Sequence, residues 1–396
     1  MFAHQTHAPP PHLTTREAEV LALRAGGRSL EEIALALVVE PRTVRFHLGN
    51  IYAKLGVRER SQAARQAALA RYQRAATPAQ TGGPPQGRSL FRTDRKLTEV
   101  VGRGRFTLSA EVTPPRNGAD QGAVLGQVGQ LIDAGAQFLA VTKGAGGSLR
   151  GGSLPIAQAI KERFGVPCIA HFTCRELRPE EVENQLMDHH YFGIRNILAL
   201  RGDPPDGQPR WEARPGGYQY AYQLLEQARG LNEGRYRPRP GGPPAAGRER
   251  TDFDLGAAAY PEHGDPEEGL RFFARKLEAG ARFAITQMVF DPAAYGRFLD
   301  RCERHGLDVP VLPGTRVLRS RGQARRTAAK YGVTVPPDLL GGLGRPDDPA
   351  ATEKALDLFA RLVQRLREYG APGVHLFVTD TATACGLLGR LGGGPK

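Results

Sequence analysis

Eight apolar runs rich in β-branched residues recur through residues 106–393, with helix-like patterns between them. Most of the runs begin 28 to 30 residues apart, counted from Phe106, Ala136, Val166 and Ile194, then from Asp252, Ala281 and Val309; the eighth run is "VHLFVTD". Strands that alternate with helices predict a parallel sheet, because parallel neighbours need a long crossover connection. Eight such units in under three hundred residues fit an α/β fold of the closed (β/α)₈ TIM-barrel type.

The positive charge is concentrated near the amino terminus. The chain carries a net charge of +13. Residues 1–105 contain 17 Lys+Arg and 8 Asp+Glu, whereas residues 106–396 contain 37 and 33. A uniformly basic proteome would explain the overall sign but not this concentration. A basic segment of this kind indicates a polyanionic partner, nucleic acid first.

Several protein classes are disfavoured by the sequence. No run of eighteen or more apolar residues occurs, so no membrane span or membrane partner is expected. The start "MFAHQTHAPPPHL" lacks the pattern of a secretory signal. The four cysteines form neither a CxxC pair nor a zinc spacing, which predicts reduced thiols and no metal site. We therefore expect a soluble, cytoplasmic protein.

Helix signals are dense in the first 75 residues. "TTRE" (Thr14 to Glu17) and "SLEE" (Ser29 to Glu32) both match the capping box. "AGG" (Ala25 to Gly27) predicts the end of the first helix and a tight turn. Pro41 suits the first turn of a third helix, where its missing N–H costs nothing.

The third helix carries two stripes. Helical spacing predicts a buried apolar stripe of Val44, Leu48, Ile51 and Leu55. Polar and basic residues run beside it: Arg42, Thr43, Arg45, His47, Asn50 and Lys54. Such side chains can donate to phosphates or to base edges in a major groove. A solvated face of an ordinary amphipathic helix is the alternative interpretation of this helix taken alone.

The order of the pieces is that of a helix-turn-helix. The segment from "LTTREAEVL" through "SLEEIA" and "TVRFHLGNIYAKLGV" closely resembles the LuxR/GerE family of DNA-binding domains. The resemblance implies a small all-α domain over residues 1–75 that binds double-stranded DNA as a dimer. It also implies that the six polar residues of the third helix contact DNA. Because the family binds DNA as dimers, we expect a homo-oligomer. Residues 76–105, rich in Pro, Gly and Gln and with several basic residues, predict a flexible basic linker.

Polar residues collect where the predicted strands of the barrel end. These are Glu111, Thr142, Lys143, His171, the triplet Arg201 to Asp203, and Gln287. In a (β/α)₈ barrel the active site lies at the carboxyl ends of the strands. Each residue alone could be a hydrogen-bonded core or turn residue, but the set predicts a pocket. Glu111 is the candidate general acid.

Residues 106–393 resemble the methylenetetrahydrofolate reductase family. The resemblance lies in "SAEVTPPRN", "VTKGAGGS", "AHFTC", "GIRNILALRGDPP", "AAAYPE", "RKLEAGARFAITQMVFD" and "VLPG". It implies non-covalent FAD, hydride taken from NAD(P)H, and reduction of 5,10-methylenetetrahydrofolate to 5-methyltetrahydrofolate. That reaction belongs to one-carbon metabolism and methionine biosynthesis.

The resemblance also implies roles for single residues. Glu111 would be the general acid that opens the folate imidazolidine ring, and the charge of Asp203 would favour the resulting cation. Gln287 would contact the folate and the nicotinamide. The flavin would be held by Thr142, Ala145, His171, Arg201, Gly202, Asp203, Tyr220, Ala221, Tyr260, His263, Arg275 and Lys276.

Two segments depart from the family pattern. "TRVLRSR" (Thr315 to Arg321) replaces an apolar segment that usually ends in an aromatic, and "TDT" (Thr379 to Thr381) replaces a Leu-Asn-Arg-like triplet. Both would lie on the folate side. They favour an alternative function, a transcription regulator whose flavin-binding barrel is a non-catalytic ligand or redox sensor. A third interpretation is an enzyme whose first domain only mediates assembly.

Overall fold

The computed structural model describes ten stretches of the chain: residues 15–25, 28–37, 39–54, 91–101, 105–117, 119–144, 151–204, 212–238, 248–344 and 350–392. The chain divides into two compact units, Met1–Arg88 and Ser89–Lys396.

The first unit contains three described helices, α1 (Thr15–Ala25), α2 (Leu30–Leu37) and α3 (Pro41–Lys54). The second predicted capping box is confirmed: Glu32 N–H donates to Ser29 Oγ at 3.1 Å, and Ser29 N–H donates to Glu32 Oε2 at 2.7 Å. The apolar stripe is buried as predicted, at Val44, Leu48 and Ile51. Thr14 and Leu55 lie outside the described residues or side chains.

The second unit is a closed barrel of eight parallel strands in chain order, with β8 hydrogen-bonded to β1. The strands are β1 (Thr107–Val112), β2 (Phe138–Val141), β3 (Cys168–Thr173), β4 (Asn196–Leu200), β5 (Asp254–Ala259), β6 (Phe283–Met288), β7 (Val311–Thr315) and β8 (Gly373–Leu376). The first seven strands each fall within one predicted apolar run, and β8 begins one residue before the eighth, so the predicted (β/α)₈ architecture is confirmed.

Ten described helices accompany the strands. They are α4 (Gly122–Asp133), α5 (Ser153–Ala159), α6 (Pro179–Tyr191), α7 (Ala221–Asn232), α8 (Pro266–Glu278), α9 (Pro292–Arg304), α10 (Arg321–Tyr331), α11 (Pro337–Gly342), α12 (Ala351–Glu368) and α13 (Thr381–Gly392). Their apolar faces and the outer faces of the strands form the main core. Among the helices described, none has the length and hydropathy needed to cross a bilayer.

Residues 91–101 close the amino-terminal end of the barrel. A 3-10 turn at Leu97–Glu99 inserts Leu97, which is fully buried with Phe138, Phe283 and other residues inside the barrel. Leu97 N–H donates to Asn196 Oδ1 at 2.6 Å, and Thr98 donates to Asp254 Oδ2. The prediction of a flexible linker over 76–105 therefore does not hold for 91–101, because apolar burial and polar strand starts fix this segment.

Candidate functional site

Glu111, Ser109 and His375 meet at two neighbouring strands inside the barrel. Ser109 and Glu111 share one face of β1 because strand side chains alternate, and Ser109 pairs in register with His375 of β8. The Ser109 hydroxyl lies 2.9 Å from His375 Nδ1. Glu111 Oε2 lies 3.9 Å from His375 Nε2, and its side chain is 14% exposed. The Glu111 carboxyl group is thus partly accessible to solvent, whereas Ser109 and His375 beside it are buried.

His171 on β3 belongs to the same cluster. It is buried, and its Nε2 has no hydrogen-bond partner among the described residues. Burial lowers the pKa of His171 to about 4, although the charge of Glu111 acts to raise it and that of His375 to lower it further. The imidazole is therefore neutral at pH 7 and can donate or accept a hydrogen bond.

Thr142 and Lys143 follow β2. The β2–β3 register places Val141 opposite Ala170, so Thr142 comes next to the level of His171. Thr142 Oγ1 is buried and unpartnered among the described residues. Lys143 Nζ donates to Gln185 at 2.6 Å and lies over the Phe172 ring, and burial lowers its pKa to about 8. Ala145 lies outside the described residues.

The turn after β4 leaves no room for a side chain at Gly202. Its φ is +97°, and an added Cβ would come within 2.8 Å of Arg175 Cβ. Arg175 also donates to the backbone oxygen of Asp203 at 2.6 Å. Arg201 and Asp203 on either side are exposed. The backbone is thus held in a narrow turn with opposite charges at its surface.

Lys276 and Tyr260 lie beside that turn. Lys276 Nζ donates to Ala258 O at 2.8 Å and lies 5.2 Å from the centre of the Tyr260 ring. Burial, with the charge of Arg201 adding to it, lowers the pKa of Lys276 to about 8. Burial raises the pKa of Tyr260, while Arg201 lowers it and Asp203 raises it. These four side chains therefore form one electrostatic group.

An aromatic group lies on α7 and α8. Tyr220, which precedes the buried Ala221 at the start of α7, stacks on Tyr222 with ring centres 5.2 Å apart. Arg275 of α8 lies over the Tyr222 ring at 5.4 Å. His263 lies in the loop before α8, where Asp265 N–H donates to its Nδ1 at 3.1 Å. The rings and the guanidinium offer a stacking surface for a planar, anionic ligand.

Gln287 lies late in β6 and is half-buried. Its Oε1 accepts a hydrogen bond from Met288 N–H at 2.9 Å. Among the described residues Gln287 forms no hydrogen bond with Glu111 or His171, so its predicted substrate contact stays a prediction.

The sequence-based prediction missed Ser109 and His375. Apart from Gln287 and Ala145, the predicted barrel residues fall into the Glu111–His171 cluster, the Lys276–Tyr260 group and the aromatic group. Two signals could have pointed to the missed pair. Ser109 lies two residues before Glu111, hence on the same strand face, and His375 is a polar residue inside the last apolar run.

The polar face of α3 is only partly exposed in the first unit. Arg42 and Arg45 are exposed, whereas Thr43, His47 and Asn50 are partly buried. Arg42 Nε forms an ion pair with Glu40 at 2.7 Å, which partly neutralises its charge. Phe46, which the sequence-based prediction did not single out, is 66% exposed beside His47. The side chain of Lys54 lies outside the described side chains.

Comparisons with known proteins cover both units. Residues 96–387 match the family model described as methylenetetrahydrofolate reductase, and residues 11–67 match that of bacterial regulatory proteins, luxR family. The 5,10-methylenetetrahydrofolate reductase of Escherichia coli (strain K12) is 30% identical over 295 residues, 73% of this chain and 90% of the relative. Methylenetetrahydrofolate reductase (NADH) 1 of Zea mays is 26% identical over 300 residues, 75% of this chain and 50% of the relative. This chain therefore belongs to the methylenetetrahydrofolate reductase family of oxidoreductases and carries a luxR-family regulatory domain ahead of its barrel in the sequence.

Proposed function

We propose that the barrel reduces 5,10-methylenetetrahydrofolate to 5-methyltetrahydrofolate, with NAD(P)H as reductant and FAD as cofactor. The proposal rests on the cluster of Glu111, His171 and His375 at the carboxyl ends of the strands. Relatives at 30% identity over most of the chain are named for this activity. We further propose that residues 1–75 bind double-stranded DNA and give the protein a regulatory role.

The residues at the ends of β2 to β5 fit a flavin dinucleotide. Thr142 Oγ1 and His171 Nε2 are buried polar atoms without partners among the described residues, and a bound ligand would supply partners. Gly202 allows a close backbone approach, and Lys276, Arg201 and Arg275 bring positive charge for a diphosphate. Tyr220, Tyr260, His263, Ala221 and Ala145 complete the proposed set. When bound, FAD supplies two-electron hydride transfer.

Glu111 supplies the proton in the proposed reaction. Protonation of a folate ring nitrogen lets the imidazolidine ring open to an iminium ion, whose methylene carbon then accepts hydride. The Glu111 carboxyl group is partly exposed, so it can meet a substrate. His375 lies beside it and is held in turn by the Ser109 hydroxyl. Asp203 places negative charge near the cation, and Gln287 contacts the folate.

The DNA-binding proposal rests on the third helix. When α3 lies in a major groove, the exposed Arg42 and Arg45 reach phosphates, and Thr43, His47 and Asn50 reach base edges. Lys54 is assigned to the same interface from the sequence alone. The family match over residues 11–67 supports this assignment. Recognition of two half-sites would require two copies of the chain, so a homo-oligomer is part of the proposal.

An anaerobic visible spectrum of the purified full-length protein tests the enzymatic proposal. We expect NAD(P)H to bleach the flavin band and added 5,10-methylenetetrahydrofolate to restore it. Tetrahydrofolate, which lacks the methylene bridge, should not restore the band and serves as the control. Absence of a flavin band or of bleaching would contradict the proposal.

One alternative outcome is favoured by a specific observation. The basic segment Thr315 to Arg321 and the "TDT" triplet stand at the ends of β7 and β8. Bleaching without folate-driven return would mean that these segments have removed the folate substrate. The barrel would then be a redox or ligand sensor for the DNA-binding unit.

A further inference from the structure

A cavity of about 200 Å³ opens at the carboxyl ends of β7 and β8. Its lining comes from the loop after β7, the first turn of α10, the loop after β8 and the start of α13. The polar lining residues are Arg316, Arg319, Gln323, Thr379, Asp380 and Thr383. None of these residues belongs to the groups proposed above to hold the flavin or to supply a proton.

The cavity is electropositive because the chain segment that forms one of its sides is basic. Residues 309–337 contain six Lys+Arg and no Asp or Glu. Two of the six, Arg316 and Arg319, line the cavity. Arg316 Nε is buried and has no hydrogen-bond partner among the described residues. A buried guanidinium N–H without a partner is costly, and an anionic ligand would supply that partner.

One carboxylate faces this charge. Asp380 lines the cavity, but its Oδ1 accepts a hydrogen bond from Thr383 N–H at 2.8 Å and caps α13. The charge of Arg319 lies close enough to lower the pKa of Asp380, after the hydrogen bonds to Thr383. Asp380 therefore offsets part of the charge of Arg319, whereas Arg316 forms no ion pair with a carboxylate in the part of the chain that the structure describes.

The cavity borders the cluster around Glu111. Phe377, which lines the cavity, packs edge-on against His375 with ring centres 5.4 Å apart. Gly314 allows this packing, because a Cβ there would lie 2.4 Å from the Phe377 ring. The Phe377 ring therefore lies between the cavity and His375, which places the cavity next to the Glu111 cluster. In many (β/α)₈ barrels the loops after strands 7 and 8 form a phosphate site.

We propose that Arg316 and Arg319 hold an anionic group of a substrate, a carboxylate or a phosphate, in the cavity between β7 and β8. The inference rests on the proposed function, which supplies two sources of such a group. One source is the glutamate carboxylates of a folate, and the other is the phosphate that distinguishes NADPH from NADH. Arginine suits both because its planar fork pairs with two oxygens at once.

Equilibrium calorimetry on the full-length flavoprotein tests this site without turnover. The ligands are inorganic phosphate, NADP⁺ against NAD⁺, and 5-methyltetrahydrofolate against its counterpart without glutamate. The variants are Arg316→Gln and Arg319→Gln, with Arg325→Gln as a matched control on the exposed side of α10. Arg319 is exposed, so its variant tests the site even where Arg316→Gln fails to fold.

We expect the Kd of the ligand that carries the responsible anion to rise about tenfold or more in both cavity variants, since each loses a charged hydrogen bond. The counterpart that lacks that anion should bind unchanged, which identifies the source. Unchanged Kd values for every ligand in a folded Arg319→Gln protein would overturn the site. Arginine-dependent phosphate binding without any folate or nucleotide binding would support the site and defeat the proposed reductase function.

Discussion

The residues of the Glu111 cluster differ in how deeply they are buried. His171 and His375 are both almost fully buried, yet each retains a ring nitrogen without a partner among the described residues. Glu111 is the most accessible of the three, with 14% of its side chain exposed. A neutral His171 beside the Glu111 carboxyl group offers a hydrogen-bond donor without adding a positive charge. The chemistry of the site therefore depends on where protons lie within this cluster.

Ser109 is predicted to position His375. Replacing it by alanine removes the hydroxyl 2.9 Å from Nδ1, and such a hydrogen bond contributes about 1 kcal/mol. We expect Ser109→Ala to slow folate-driven flavin reoxidation several-fold and to shift its pH profile, with NAD(P)H-driven bleaching unchanged. Ser153→Ala, at the start of α5, is the control. Rates and pH profile equal to those of the unmodified protein would exclude a positioning role.

His171 predicts a stability that depends on pH. Its folded pKa is about 4, below the ordinary value of 6.5, so the neutral ring contributes stability above pH 6.5 that is lost as the pH falls toward 4. At pH 5 this loss is about 2 kcal/mol relative to pH 8. Urea unfolding of His171→Gln should show a pH dependence shallower by that amount. The exposed His305→Gln is the control, and equal pH dependence in both variants would contradict the prediction.

At the scale of elements, register explains which parts of the site the sequence could reveal. Glu111 and His171 lie on β1 and β3, and Thr142 directly follows β2, so strand-end polarity predicts that they meet. His375 joins them only because β8 closes the barrel against β1, which brings together residues 266 positions apart. The apolar periodicity predicts eight strands, but it does not predict which residue of β8 faces Ser109. That pairing depends on the register.

The segment 91–101 has a structure that its own sequence does not predict. Its basic and polar residues resemble a linker, whereas its structure depends on distant strand starts at Asn196 and Asp254. We expect Leu97→Ala to lower the free energy of unfolding by about 2–5 kcal/mol, because Leu97 is fully buried inside the barrel. Val100→Ala, at a half-buried neighbour, should cost clearly less. Denaturant unfolding measures both, and equal small losses would mean that the segment does not seal the barrel.

At the scale of the whole molecule, the chain joins a basic amino-terminal unit to a nearly charge-balanced barrel. Electrostatic contact with phosphates depends on salt, because bound cations are released from DNA. Sequence motifs alone were enough to predict both units, since each matches a family over nearly its full length. The cavity between β7 and β8 was not predicted, because its lining comes from two loops about sixty residues apart.

DNA binding by the full-length chain is predicted to depend on α3. Arg45→Ala should weaken binding about tenfold and reduce the salt slope by about one, as expected for the loss of one phosphate contact. The exposed Arg304→Ala on the barrel should change neither quantity. Fluorescence anisotropy with selected double-stranded DNA at several salt concentrations measures both. Unchanged affinity in Arg45→Ala would remove α3 from the interface.

The most direct test of the reductase account is anaerobic rapid mixing of Glu111→Gln, with Glu99→Gln as a control carboxylate at the other end of the barrel. The two half-reactions are followed separately by the flavin absorbance. The account predicts that NAD(P)H bleaches Glu111→Gln at nearly the normal rate, while return of the band with 5,10-methylenetetrahydrofolate slows by about 10²–10⁴-fold, since only that step needs the proton. Normal return in Glu111→Gln would contradict the assignment of Glu111 as the general acid.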